Sequence, residues 1–191
     1  MLSDKVKELI KKSRIVSFEN WQYPSDVTNI FQQADDTGQY LTDEDLKQIK
    51  TLVPSLFQGL EQGKILRDSV SKIVSNARGV VLDANPGILE PGGGLYPPMR
   101  AEACWRDFWH FLRCISYGIS GQSINYISDR GLKYMEQLYQ ELDVPLEAMV
   151  LGLEQLKVFS LKEFQPEQQA NLEPYFDQLI ESMKSFSSIS L

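Results

Sequence analysis

Residues 91–117 read PGGGLYPPMRAEACWRDFWHFLRCISY, and this stretch decides the fold of the 191-residue chain. It opens with Gly and Pro residues, which predict a turn. The segment Pro91-Gly92-Gly93-Gly94 is not followed by the Lys-Ser/Thr pair of a phosphate-binding loop. The stretch then continues into a predicted helix over about 99–119. This helix is expected to end at Gly121 and the short polar segment that follows it.

One face of this predicted helix carries a mixed set of side chains. At 100° per residue, a single line along the helix contains Arg100, Cys104, Asp107, Phe111, Cys114 and Gly118. A stripe that faces a core rarely includes Arg and Asp, and a stripe that faces solvent rarely includes two Cys and a Phe. The face therefore predicts a polar-lined pocket for a large conjugated ligand. A partly buried Arg–Asp pair among core residues is the plainer alternative.

Composition and charge bound the class of protein. Hydrophobic residues make up 42% of the chain, which is enough for one domain with its own core. The formal net charge of −7 argues against a nucleic-acid partner, because phosphate backbones need a basic surface. The sequence has no run of 18 apolar residues and no apolar signal core after Met1, so we expect a cytoplasmic protein without a transmembrane segment.

The chemical groups available for catalysis are few. His110 is the single His, so we expect no His-based metal cluster, and Cys104 and Cys114 lack zinc-site spacing. On one straight helix these two Cys lie about 15 Å apart, too far for a disulfide. The sequence contains neither a Gly-x-Ser-x-Gly elbow nor a Walker-type loop. We therefore expect that the protein is not an enzyme.

The rest of the sequence has helical periodicity almost throughout. We predict further helices over about 3–14, 25–35, 42–63 with a kink at Pro54, 64–84, 123–142, 145–157 and 167–187. Seven or eight helices with short connections favour an all-α, globin-like domain over a simple bundle. The first predicted helix is basic and amphipathic. It is expected to pack on its own domain or on a partner, with contact to a membrane surface as the alternative.

The central stretch resembles the phycobiliproteins. The matching elements are Pro91-Gly92-Gly93, Tyr96, Arg100, Cys104-Trp105-Arg106-Asp107, Leu112-Arg113 and Ser116-Tyr117. Residues 34–41 (ADDTGQYL) and 172–177 (LEPYFD) are similar to two further segments of the same family. The resemblance covers about residues 25–187. It implies a globin-like fold preceded by a helical hairpin, which we divide into an N-terminal extension and hairpin (1–38) and a globin-like domain (39–191).

The resemblance also implies a cofactor. Cys104 matches the position that holds a bilin, an open-chain tetrapyrrole of the phycocyanobilin type, by a thioether bond. Asp107 matches the carboxylate that accepts hydrogen bonds from the pyrrole N–H groups, Arg100 and Arg106 match the propionate-binding positions, and Tyr117 matches an aromatic wall. The implied role is that of a phycobiliprotein subunit, in or associated with cyanobacterial phycobilisome light harvesting at the thylakoid membrane.

The resemblance further implies association with a second subunit. Asp35 and Arg113 match positions that pair across the subunit dimer, so a homodimer or a heterodimer with a related subunit is expected. The apolar faces of the N-terminal segments would be covered there, and a hairpin folded back on its own core is the alternative.

Several residues depart from the family pattern, and they indicate a divergent paralogue: Gln39, Gly94, Met99, Trp105, Trp109, His110 and Cys114. A chromophore-free relative, of the kind called bilin-biosynthesis-associated globin, is therefore an alternative function. A haem-binding globin that uses His110 as its iron ligand is a third.

Overall fold

The architecture is that of a computed structural model, which describes residues 2–186. Within them lie eight α-helices and one 3₁₀ turn, Pro54–Leu56. The helices are α1 (Asp4–Lys12), α2 (Ser25–Asp36), α3 (Asp43–Leu52), α4 (Phe57–Ala84), α5 (Pro98–Ser120), α6 (Asp129–Glu141), α7 (Leu146–Leu161) and α8 (Pro166–Lys184). The all-α, globin-like prediction is confirmed. None of the helices described is long and apolar enough to cross a bilayer.

Two helix starts follow from capping residues visible in the sequence. The Ser3 hydroxyl accepts a hydrogen bond from the Val6 N–H (3.2 Å) at the start of α1. Thr42 and Asp45 form a reciprocal capping box at the start of α3, with distances of 3.2 and 2.8 Å. Such caps satisfy N–H groups that have no partner inside the helix.

The predicted boundary at Gly63 is wrong. The helix breaks earlier, at Val53 and Pro54, and α4 then runs for 28 residues through Gly59 and Gly63. Gly63 is needed for close packing on α5, because a Cβ there would lie 1.9 Å from the Ser120 Oγ. A glycine that permits helix contact and a glycine that ends a helix look alike in sequence.

The predicted start of α6 near residue 123 is also wrong, since the helix begins at Asp129. Residues 126–128 instead pair with the N-terminal segment (residues 2–18). Val16 and Ile127 form an antiparallel bridge, and the Ser128 N–H donates to the Ile15 carbonyl (2.8 Å). The absence of a side chain at Gly131 permits this approach, because a Cβ there would lie 1.7 Å from the Arg14 carbonyl oxygen.

The N-terminal segment folds back on its own chain. Helix α1 packs against α6, and Lys5 forms an ion pair with Glu141. Val6 and Leu9 are buried, and Phe18 belongs to the same hydrophobic core as α5. The chain therefore covers part of these apolar faces itself, as in the fold-back alternative, while Leu2 and Ile10 stay about half exposed, and their coverage by a second subunit stays a prediction. The domain boundary at residue 38 stays a prediction.

Candidate functional site

A cavity of about 860 Å³ lies between α5, α6 and the N-terminal segment. Its volume is in the range of small-molecule and cofactor sites. Apolar side chains from all three elements line it: Ile10, Ile15, Phe111, Met135, Leu138 and Leu142. Polar and charged side chains are interspersed among them, so the cavity suits a ligand that is mostly apolar and carries a few charged groups.

The cavity wall includes four of the five residues predicted to bind a cofactor: Arg100, Cys104, Arg106 and Asp107. All four are on α5, which turns this face of the helix toward α6 and the N-terminal segment. The two predicted interface residues, Asp35 and Arg113, line the same cavity.

Cys104 is buried, and its Sγ lies 2.7 Å from the Sδ of Met149. Burial, with a smaller contribution from the charge of Asp107, raises the pKa of the thiol to about 12. The group is therefore protonated at neutral pH. Because the thiolate is the nucleophilic form, bond formation at Cys104 requires that this proton be removed.

Asp107 is half-buried one turn further along α5. Burial raises the pKa of its carboxyl group to about 6, against the opposing effects of Arg106 and of a hydrogen bond from the Tyr139 hydroxyl (3.3 Å). At neutral pH the side chain is mostly ionised. It places a negative charge in the cavity wall, where the N–H groups of a cationic ligand can be bound.

The two arginines near Cys104 differ in whether their guanidinium groups have hydrogen-bond partners in the described chain. Arg100 is held in place, since its Nε donates to the Gly94 carbonyl (3.1 Å) and its Nη2 to the Asp143 carbonyl (2.6 Å). Arg106 is exposed and has no hydrogen-bond partner within residues 2–186. Arg106 is therefore the more available of the two for a carboxylate of a ligand.

Asp35 and Arg113 form an ion pair within the chain, whereas the resemblance led us to expect a pair across a subunit dimer, which stays a prediction. The Arg113 Nη1 donates to the Asp35 Oδ1 at 2.8 Å, and both side chains are buried. Arg14 of the N-terminal segment donates to the other oxygen of Asp35 and lies 2.7 Å from Asp36. The fold-back of residues 2–18 brings this second arginine to Asp35, so two arginines of the same chain contact the carboxylate.

Residues 29–183 match the phycobilisome protein family. The chain belongs to this family. Allophycocyanin subunit alpha-B of Nostoc sp. is 31% identical over 157 residues, which cover 82% of this chain and 98% of the relative. The allophycocyanin alpha-B chain of Synechococcus sp. is 31% identical over 159 residues, with 83% and 98% covered. The C-phycocyanin-2 beta subunit of Microchaete diplosiphon is 29% identical over 130 residues, with 68% and 76% covered.

Tyr117, predicted as an aromatic wall on the basis of the phycobiliprotein pattern, is not among the residues that line the cavity. The side chain is fully buried, its hydroxyl donates to the Gln39 carbonyl, and it accepts a hydrogen bond from the Arg113 Nη1 (2.7 Å). Its ring packs edge-on against Phe18 and Phe31. One turn beyond Arg113, Tyr117 points into the core beneath the N-terminal segment, and it supports Arg113 from there.

His110 lines the cavity, but its hydrogen bonding disfavours the haem alternative. Burial, and then the charges of Arg113 and Arg106, lower the pKa of the imidazole to about 4, so it is neutral at physiological pH. Its Nδ1 accepts a hydrogen bond from the Arg113 Nε (3.2 Å), which leaves the proton on Nε2. A metal-binding His normally donates from the nitrogen that does not bind the metal, whereas this nitrogen accepts.

Sequence reasoning missed the wall formed by the N-terminal segment. Ile10, Lys11, Ser13, Arg14 and Ile15 all line the cavity. They precede the part of the chain that matches the phycobilisome protein family, so the family pattern contains no information about them. The basic, amphipathic character of residues 1–14 was the available signal, but it does not identify the surface that the helix contacts.

Proposed function

We propose that this member of the phycobilisome protein family binds a bilin in the α5 cavity and is a subunit in, or associated with, phycobilisome light harvesting. The observation that carries the proposal is that one face of α5 brings a thiol, a carboxylate and two guanidinium groups to one cavity of about 860 Å³. This donor set fits the group, because a bilin combines an apolar conjugated chain, pyrrole N–H groups and two propionates. When bound, the bilin supplies absorption of visible light.

Each residue has a distinct role in this proposal. Cys104 forms the thioether bond by addition of its S–H across a carbon–carbon double bond, with the proton transferred to the adjacent carbon. The addition needs no oxidant. The raised pKa of the thiol makes unassisted attachment slow. Asp107 holds pyrrole N–H groups, and Arg100 and Arg106 hold carboxylates, for which the fork of a guanidinium group is suited.

The test compares two cysteine variants in cells that produce a bilin. Both cysteines are buried and both line the cavity, so Cys114→Ala is a matched control for Cys104→Ala. Zinc staining after denaturing electrophoresis detects a covalently attached bilin. We expect this signal in the parent and in Cys114→Ala, and we expect it to be absent from Cys104→Ala. Colour retained in Cys104→Ala, or colour lost in Cys114→Ala instead, would contradict the assignment of the attachment residue.

A second candidate function is that of a chromophore-free relative that acts in bilin biosynthesis, regulation or assembly. The observation in its favour is that Arg14, which precedes the family match, pairs together with Arg113 of the same chain with Asp35, a position that the resemblance assigns to the subunit dimer. If the parent protein folds but acquires no colour in the same bilin-producing cells, this result supports the second candidate function.

The proposal includes association with a related subunit, as a homodimer or a heterodimer, and a cytoplasmic location beside the thylakoid membrane through the phycobilisome. The similarity to allophycocyanin and phycocyanin subunits supports both expectations. Sedimentation velocity of the protein, alone and after co-expression with a related subunit, tests the association.

A further inference from the structure

The charged side chains of the cavity wall are unevenly paired. Five basic residues line it: Lys11, Arg14, Arg100, Arg106 and Arg113. Arg14 and Arg113 are paired with Asp35, and Arg14 also with Asp36. Both cations are therefore already neutralised within the protein, and neither is free to bind an anionic ligand without breaking an existing pair.

Lys11 differs from the other lysines of α1. Lys5 pairs with Glu141, Lys7 with Asp4, and Lys12 with Glu8. Within residues 2–186, Lys11 has neither an ion pair nor a hydrogen bond, and it is the lysine of this helix that lines the cavity. Arg106, on the facing wall formed by α5, is the other cavity cation without a hydrogen-bond or ion-pair partner in the described chain.

Two such cations at an otherwise largely apolar cavity indicate the class of ligand. Both cations are exposed and form no ion pair within the described chain, so a carboxylate of a ligand can pair with either of them without breaking an existing pair. A large apolar molecule with two carboxylates matches the wall, because each carboxylate can pair with one cation while the rest of the molecule contacts Ile10, Ile15 and Phe111.

We propose that Lys11 is a ligand-binding residue of this cavity and that it binds one carboxylate of the tetrapyrrole in addition to Arg100, whose guanidinium group already donates to two carbonyls, while Arg106 is available for the other carboxylate. This inference rests on the proposed function and adds to it a residue that precedes the family match at residue 29. The N-terminal segment is thereby part of the binding site, and it is a determinant of which tetrapyrroles are accepted.

The test is a titration of the purified chain with biliverdin and with biliverdin dimethyl ester, followed by absorbance and by quenching of Trp fluorescence. The ester keeps the conjugated chain but lacks both negative charges. The variants are Lys11→Gln and the matched control Lys12→Gln, which removes a neighbouring charge of the same helix that does not line the cavity. Both substitutions are at exposed positions, so the fold is retained.

We expect Lys11→Gln to weaken binding of the free acid by about fivefold and to leave binding of the ester unchanged. Lys12→Gln should bind both like the parent. Equal free-acid affinity in the parent and Lys11→Gln would overturn the inference, and so would an equal loss for acid and ester, since the lysine would then not act through a carboxylate. A parent that binds neither compound overturns the proposed function as well.

Discussion

At the scale of single residues, the cavity contains two titratable groups whose usual order of ionisation is reversed. Asp107 has a pKa of about 6 and His110 a pKa of about 4. Burial favours the neutral form of both groups. Between about pH 4 and pH 6 both side chains are therefore mostly uncharged, and above this range the carboxylate alone carries a charge.

The two groups affect folding stability with opposite signs. Asp107 has a higher pKa in the folded chain than when unfolded, so its contribution to stability is present at low pH and is lost as pH rises through about 6. His110 has a lower pKa when folded, so its contribution is present above the unfolded value and is lost as pH falls toward about 4. A pH profile of the parent sums both effects, and single variants are needed to separate them.

We predict that Asp107→Asn is stabilised relative to the parent as pH rises from about 4.5 to about 7.5, because the amide cannot ionise and can still accept from the Tyr139 hydroxyl. Urea unfolding across this range measures the difference in the free energy of unfolding. His110→Gln is the companion variant, and its advantage over the parent should instead increase toward low pH. A difference that is flat with pH for Asp107→Asn would contradict the raised pKa.

The sequence was informative at this scale where regular helix geometry applies. Arg100, Cys104 and Asp107 could be placed on one face because successive residues of a helix turn by about 100°. Tyr117 could not be placed in the same way. Its position depends on Phe18, Phe31 and the Gln39 carbonyl, which the chain brings there from other elements.

At the scale of elements, the contact between α4 and α5 depends on small residues. Gly63 faces the last turn of α5, where the Ser120 Oγ occupies the space that a Cβ would need. Gly79 of the same helix has no atom within 4 Å of a Cβ built on it. One helix thus contains a glycine that packing requires and a glycine that packing does not require.

We predict that Gly63→Ala lowers the free energy of unfolding by about 1–3 kcal/mol, because the added methyl group overpacks the contact. Gly79→Ala should be neutral or stabilising by up to about 1 kcal/mol, as expected for alanine in an open helical position. Chemical denaturation of both variants provides the comparison. Ser120→Ala in the Gly63→Ala background should recover part of the loss, and equal effects at both glycines would contradict the contact.

Helices were predictable from the sequence, but some of their boundaries were not. Periodicity and capping residues identify the start of α3, whose capping box is local. The uninterrupted run of α4 and the late start of α6 are decided by contacts with Ser120 and with the N-terminal segment. Such contacts join residues far apart in the chain, so no local pattern indicates them.

At the scale of the whole molecule, the pair formed by Asp35 and Arg113 joins α2 to α5 inside one chain. The sequence indicated that these two charges are partners. The resemblance led us to expect the pair between chains, but complementary charge alone is the same within a chain and between chains.

We predict that Arg113→Met lowers the free energy of unfolding by about 3 kcal/mol, because it leaves a buried carboxylate with Arg14 as its remaining arginine partner. Urea unfolding at several protein concentrations, with exposed Arg130→Met as the control, measures the effect. For a pair within one chain, the loss is independent of protein concentration. A loss that depends on concentration would indicate a pair between subunits.

Exchanging the two charges should not restore stability. In the double variant Asp35→Arg, Arg113→Glu, the new arginine would lie beside Arg14, which contacts Asp35 in the parent. Like charges at this distance repel, so we expect the double variant to be no more stable than Arg113→Glu alone. Recovery of the parent's unfolding midpoint in the double variant would show that Arg14 does not hold Asp35.

The pairing of the N-terminal segment with residues 126–128 has a consequence for synthesis. Trp21 donates to the carbonyl of Asn125, 104 residues later in the chain, and Val16 pairs with Ile127. On a ribosome, residues 2–18 emerge before their docking surface, which consists of residues 126–128 and α6. The nascent chain therefore exposes the basic, amphipathic residues 2–18 until α6 has been translated, because the contacts that cover them join residues more than 100 positions apart.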